Sequence, residues 1–105
     1  MTTFLILYRS SVSAMEQMAN NTPEQAAAGM EAWMAWAHGA GEAIVDLGSP
    51  VQVVQAGGDA GDPGAGYSIM QAADADELRT ILEGHPHTAF GGTIEILEVL
   101  PLPGM

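Results

Sequence analysis

This chain has no cysteine and no lysine. The first absence removes disulfides and thiolate metal sites and leaves the redox compartment open. The second leaves Arg9 and Arg79 as the only strong bases against 13 acidic residues, for a formal charge of −11. Phosphate backbones and anionic lipid surfaces need clustered cations, so neither nucleic acid nor membrane is expected as a partner. The acidic surplus reads first as solubility and second as adaptation to high salt. The apolar run Phe4–Tyr8 is only five residues long and lacks a basic flank, so no secretory signal is expected there. No stretch approaches transmembrane length. A cytoplasmic protein is the expectation.

What is present is apolar residue in quantity, 48% of 105 residues. Residues 1–105 are expected to form a single domain with one core of modest size, exposing about 5,600 Å² if monomeric. Phe4–Tyr8 has the length of a buried strand. The polar segment from Arg9 to Asn21 reads as loop. Thr22, Pro23 and Gln25 then meet the capping-box pattern for a helix start. On its wheel Ala26, Met30, Trp33 and Ala37 share a face flanked by Met34 and Trp36, and Gly39 and Gly41 supply the stop. Ala43–Leu47 is a strand broken at Gly48-Ser49-Pro50, and Val51–Gln55 continues it or begins a hairpin arm. The glycine-rich stretch to Ala65 is a loop. Tyr67–Ala72 follows as a strand, with Tyr67, Ile69 and Gln71 on one face and Ser68, Met70 and Ala72 on the other. Asp74 and Glu77 predict a second capping box, Leu78, Ile81 and Leu82 a buried face, and Gly84 the end of that helix. Thr93–Val99 is the last strand.

The order β-α-β-β-α-β predicts an α+β, ferredoxin-like fold with a four-stranded antiparallel sheet and helices on one face. Leu5, Leu7, Leu97 and Val99 alternate with Phe4, Ile6, Ile94 and Ile96, so both sheet faces are apolar. A second copy of the same sheet is the economical cover for the bare face, and a homodimer through the sheets is expected, with the acids away from the interface.

The chain resembles the YCII-related family, including its DGPF-type relatives. The resemblance is carried by Trp33-Met34-Ala35-Trp36, Gly41 with Val45-Asp46-Leu47-Gly48-Ser49-Pro50, Gly66-Tyr67-Ser68-Ile69, Ala72 with the helix after it, Gly84-His85-Pro86-His87, and Ile94-Glu95-Ile96 running to Pro101. It implies a dimeric α+β barrel and a pocket between sheet and helices in each subunit. A few such relatives act on chlorinated or hydroxylated aromatic compounds. One departure stands out: Met30 falls where the narrower YCII type carries a histidine that works with an acid.

Candidate chemistry centres on His85 and His87, on the turn before the last strand. In an extended segment their rings would point to opposite sides. His85 is either a general acid or base near neutral pH or a cap on the preceding helix. Asp46, inside an apolar strand, either orients a histidine or turns outward at a strand end. Trp33 and Trp36 are core residues, walls of an aromatic pocket, or both, and Tyr67 and His87 complete the ligand-binding set. His38 reads as surface. No metal and no cofactor is expected, because His85 and His87 lack further ligands and the glycine-rich loop has no lysine. Two functions follow. One is a small-molecule enzyme performing lyase, isomerase or dehydrohalogenase-like acid–base chemistry on an aromatic or apolar compound. The other is a non-catalytic ligand-binding or accessory protein on the same scaffold.

Overall fold

The computed structural model describes residues 1–11, 14–55, 64–89 and 91–103. Four strands, β1 (Thr2–Arg9), β2 (Ile44–Asp46), β3 (Gly64–Ala72) and β4 (Thr93–Glu98), form one antiparallel sheet in the order β2-β3-β1-β4. This is the ferredoxin-like arrangement, with β1 and β3 in the centre. Helices α2 (Pro23–Ala40) and α3 (Ala75–Leu82) supply the two crossovers.

Period-two alternation sorts the strand residues. Phe4, Ile6 and Tyr8 of β1 and Ser68, Met70 and Ala72 of β3 are buried beneath the helices, where they meet Leu78 and Leu82 of α3. The α2 start is the predicted capping box: the Thr22 side chain accepts from Gln25 N, and the Gln25 side chain accepts from Thr22 N. At α3 the Asp74 carboxylate accepts from Glu77 N. Gly84, at φ +72°, takes the left-handed turn that ends this helix.

Several local expectations are corrected. The segment after β1 is not all loop, because Ala14–Asn20 forms a short helix, α1. Residues 51–55 form no strand and are exposed; Pro50 makes a single bridge to Gly66. The glycine-rich loop at 56–63 lies outside the described residues, while Gly64–Gly66 extend β3. Third, α2 carries its apolar stripe only partly inward. Met30 is 64% and Met34 52% exposed, while Trp33 and Trp36 pack on the core. The two indoles are long enough to reach the sheet and hold the rest of the helix off it. Last, Pro86 does not lead into extended chain. Its fixed φ suits a first helical position, and Pro86–Ala89 forms the one-turn helix α4.

Among the described residues, no helix is seen to cover the sheet face away from α2 and α3. Three cross-strand rows run over it: Gln71 and Thr3, then Ile69, Leu5 and Leu97, then Tyr67, Leu7 and Glu95. Its middle is apolar, and its acid, Glu95, is paired with Arg9 at 3.0 Å.

Gly48 fastens β2 to this frame. Its φ is +85°, and a Cβ there would lie 1.7 Å from the Tyr67 carbonyl oxygen. Gly48→Ala should therefore destabilise the fold by about 1–3 kcal/mol in urea unfolding. Gly39→Ala, in open space on α2, should be neutral or stabilising by up to about 1 kcal/mol. Equal effects of the two would contradict the tight approach at Gly48.

Candidate functional site

Five rings converge under the helices. Tyr8 arrives from the end of β1, Trp33 and Trp36 from α2, and His85 and His87 from the turn between α3 and β4. The His85 ring stacks on Tyr8 with centroids 5.1 Å apart. Trp33 stands edge-on to it at 4.5 Å and Trp36 meets it at 4.2 Å. Tyr8 also meets Trp33 at 4.9 Å and His87 at 5.3 Å. Both histidines thus face the same tyrosine, not opposite sides. The α4 turn is the reason, because it curls the chain so that residues 85 and 87 share one side.

The hydrogen bonds fix protons as well as positions. The backbone N–H of His87 donates to His85 Nδ1 at 2.9 Å. In its neutral form His85 must therefore carry its proton on Nε2. That Nε2 is buried and, among the described residues, has no hydrogen-bond partner. His87 Nε2 lies 2.8 Å from the carbonyl of Arg9, which can only accept, so this nitrogen is the protonated one. A Cβ on Gly92 would fall 2.2 Å from His87 Nε2, so the missing side chain there makes room for the ring. Thr88 Oγ1 donates to the His85 carbonyl at 2.9 Å and closes the turn.

A second chain of hydrogen bonds ends at Tyr8. Ser68 Oγ donates to the Leu47 carbonyl at 2.5 Å. Its single proton is then used, so the Tyr8 hydroxyl donates to Ser68 Oγ at 2.8 Å. Trp36 Nε1 donates to the Ile81 carbonyl at 3.1 Å and ties α2 to α3.

Burial dominates the electrostatics. His85 has no exposed surface, and desolvation, with His87 adding to it, lowers its pKa from 6.5 to about 4. Desolvation raises the Tyr8 pKa, offset in part by its bond to Ser68. At neutral pH the cluster thus holds an uncharged imidazole and an uncharged phenol.

Of the residues singled out in the sequence, His85, His87, Trp33 and Trp36 come together. Asp46 does not join them. It is exposed at the end of β2 and its Oδ1 accepts from Gly48 N at 2.9 Å, while neither ring nitrogen of His85 bonds to it. Tyr67 alternates with Ser68 and so stands on the opposite, uncovered sheet face. Tyr8 and Ser68 belong to the site and were missed. Each is a polar residue on an otherwise apolar face of a central strand, and a hydroxyl so placed needs a partner. A shallow cavity of about 280 Å³ lies beside the cluster, lined by Ala35, Trp36, Gly39, Ala40 and Ile81.

No protein-family profile matches the chain, and no curated protein does. Among solved structures, it is similar to a 5-chloro-2-hydroxyhydroquinone dehydrochlorinase, TftG, from Burkholderia phenoliruptrix AC1100, in complex with 2,5-dihydroxybenzoquinone. The likeness has a TM-score of 0.51 and 23% identity, and covers 89% of this chain and 90% of that one. Two chains this far apart in sequence share the α+β fold. Among the described residues, no helix is long and apolar enough to cross a membrane.

The His85 shift has a definite consequence for stability. The unfolded chain takes up its proton near pH 6.5, whereas the folded one resists until about 4. The contribution is full above about 6.5, falls as pH drops towards 4, and is constant below. Between pH 7.5 and 4.5 the native protein should lose roughly 2–3 kcal/mol more than His85→Phe. Urea unfolding of both at the two pH values checks this, and parallel profiles would contradict it.

Proposed function

We propose that this protein is a YCII-like small-molecule enzyme, acting by proton transfer on a planar aromatic compound held against Trp33, Trp36, His85 and His87. The observation that carries the proposal is the buried imidazole of His85, walled by aromatic rings, with one nitrogen left without a partner. Aromatic walls with few convergent polar groups suit a ligand of that kind. Trp36 is shared between this cluster and the neighbouring cavity, which gives a ligand a place to approach. The solved relative of the same fold acts, by its description, on a chlorinated hydroquinone and holds a dihydroxybenzoquinone. Elimination of a ring substituent is accordingly the reaction class to try first.

Calorimetric titration with 2,5-dihydroxybenzoquinone tests binding, and chloride release from 5-chloro-2-hydroxyhydroquinone tests turnover. Saturable binding, weakened at least roughly tenfold by Trp36→Ala, and chloride release dependent on His85 are the expected results. No binding would defeat the aromatic-site reading. Binding without turnover would favour the second reading, a non-catalytic ligand-binding protein. That reading draws support from Asp46, whose carboxylate is engaged by Gly48 rather than by His85.

We further propose a homodimer through the uncovered sheet face, closing the dimeric α+β barrel. A standard interface removes about 800 Å² from each partner. The row Ile69, Leu5 and Leu97 supplies its apolar centre, and the Arg9 pairing neutralises the acid at its edge. Sedimentation should give twice the chain mass, and Leu5→Glu should give the monomer. A native monomer would contradict the assembly.

A further inference from the structure

Among the described residues, one buried side-chain polar atom has no hydrogen-bond partner, and it belongs to His85. Its Nδ1 is occupied by the His87 amide. The Tyr8 hydroxyl is spent on Ser68, the Ser68 proton on Leu47, and the Trp36 N–H on Ile81. The His87 Nε2–H is used by Arg9. What remains is the Nε2–H of His85, a donor in a fully buried residue with aromatic faces and edges around it. A buried donor without an acceptor is costly, and native proteins keep such groups where water or a ligand completes them.

We infer that His85 binds ligand as a neutral hydrogen-bond donor through Nε2, and that the ligand class is a planar aromatic ring bearing a carbonyl or phenolate oxygen. This deepens the aromatic-site reading above and rests on it. The oxygen supplies the acceptor that His85 Nε2 lacks, and the ring packs against the indoles. Trp36 is the wall along which such a ligand approaches, because the same side chain lines the adjoining cavity and touches the His85 ring. The titratable groups facing His85 are Tyr8 and His87. Neither accepts from its Nε2. A neutral imidazole held in one tautomer polarises an oxygen without giving up its proton. His85 thus binds and polarises the ligand oxygen.

The test compares 4-nitrophenolate with 4-nitrotoluene, in which a methyl group stands in for the oxygen. Affinities are measured for the native protein, His85→Phe and His85→Gln, together with the proton resonance of His85 Nε2–H. The native protein should prefer the phenolate by roughly ten- to hundred-fold. His85→Phe should lose that preference, and His85→Gln, whose amide can both accept from His87 N and donate to ligand, should keep much of it. The Nε2–H resonance of the native protein should move downfield with the phenolate and stay in place with nitrotoluene, a readout that needs no variant to fold. Equal affinities of the native protein for both compounds would overturn the donor assignment and leave the aromatic site standing. An Nε2–H unmoved by bound phenolate would do the same and assign the donor to a buried water. Binding of neither compound would overturn the aromatic site itself and this inference with it.

Discussion

The structure depends on sealing one imidazole away from water. His85 is held on an apolar floor with its Nδ1 tied to the next turn of chain, and the rest of the site is arranged around that constraint. Tyr8 stacks beneath it because β1 alternates and ends there. Trp33 and Trp36 close over it because they are three residues apart on α2, within reach of the same spot. Desolvation then keeps the ring uncharged at neutral pH. A charged imidazole would have to be solvated, and the aromatic walls offer nothing to solvate it with.

The same sheet that carries this cluster on one side is bare on the other. The two sides are linked through single residues. Arg9 illustrates it: its carbonyl receives the His87 ring while its guanidinium pairs with Glu95 on the uncovered face. Gly48 is a second link, packing on the Tyr67 backbone while Leu47 next to it accepts from Ser68. A dimer built on the bare face would therefore stiffen the strands that hold Tyr8 and Ser68, without a partner residue having to enter the site.

Much of this is legible in the residues alone. Strand alternation placed Ser68 with Met70 and Ala72, the Thr22–Gln25 box marked the start of α2, and element order implied the sheet. The parts not legible were decided by three-dimensional packing. Nothing local tells that α2 rests on two indoles and leaves Met30 and Met34 in solvent. A helical turn at Pro86 and extended chain are both compatible with Gly84-His85-Pro86-His87, and only the first turns both histidines towards Tyr8. The residues alone leave Asp46 either orienting a histidine or turning outward at a strand end, and the structure takes the second, because β2 stops there and the carboxylate folds back on Gly48. Tyr8 passes for one more apolar strand residue until the hydroxyl of Ser68 is seen across the sheet.

The central claim is that His85 is a neutral, Nε2-protonated imidazole throughout the physiological pH range. Nitrogen-detected NMR of the imidazole rings across a pH titration reads tautomer and charge together. The account predicts that His85 keeps one protonated and one bare nitrogen from pH 8 down to about 5, taking up its second proton only near pH 4. Titration of His85 near 6.5, or a proton residing on Nδ1, would contradict it.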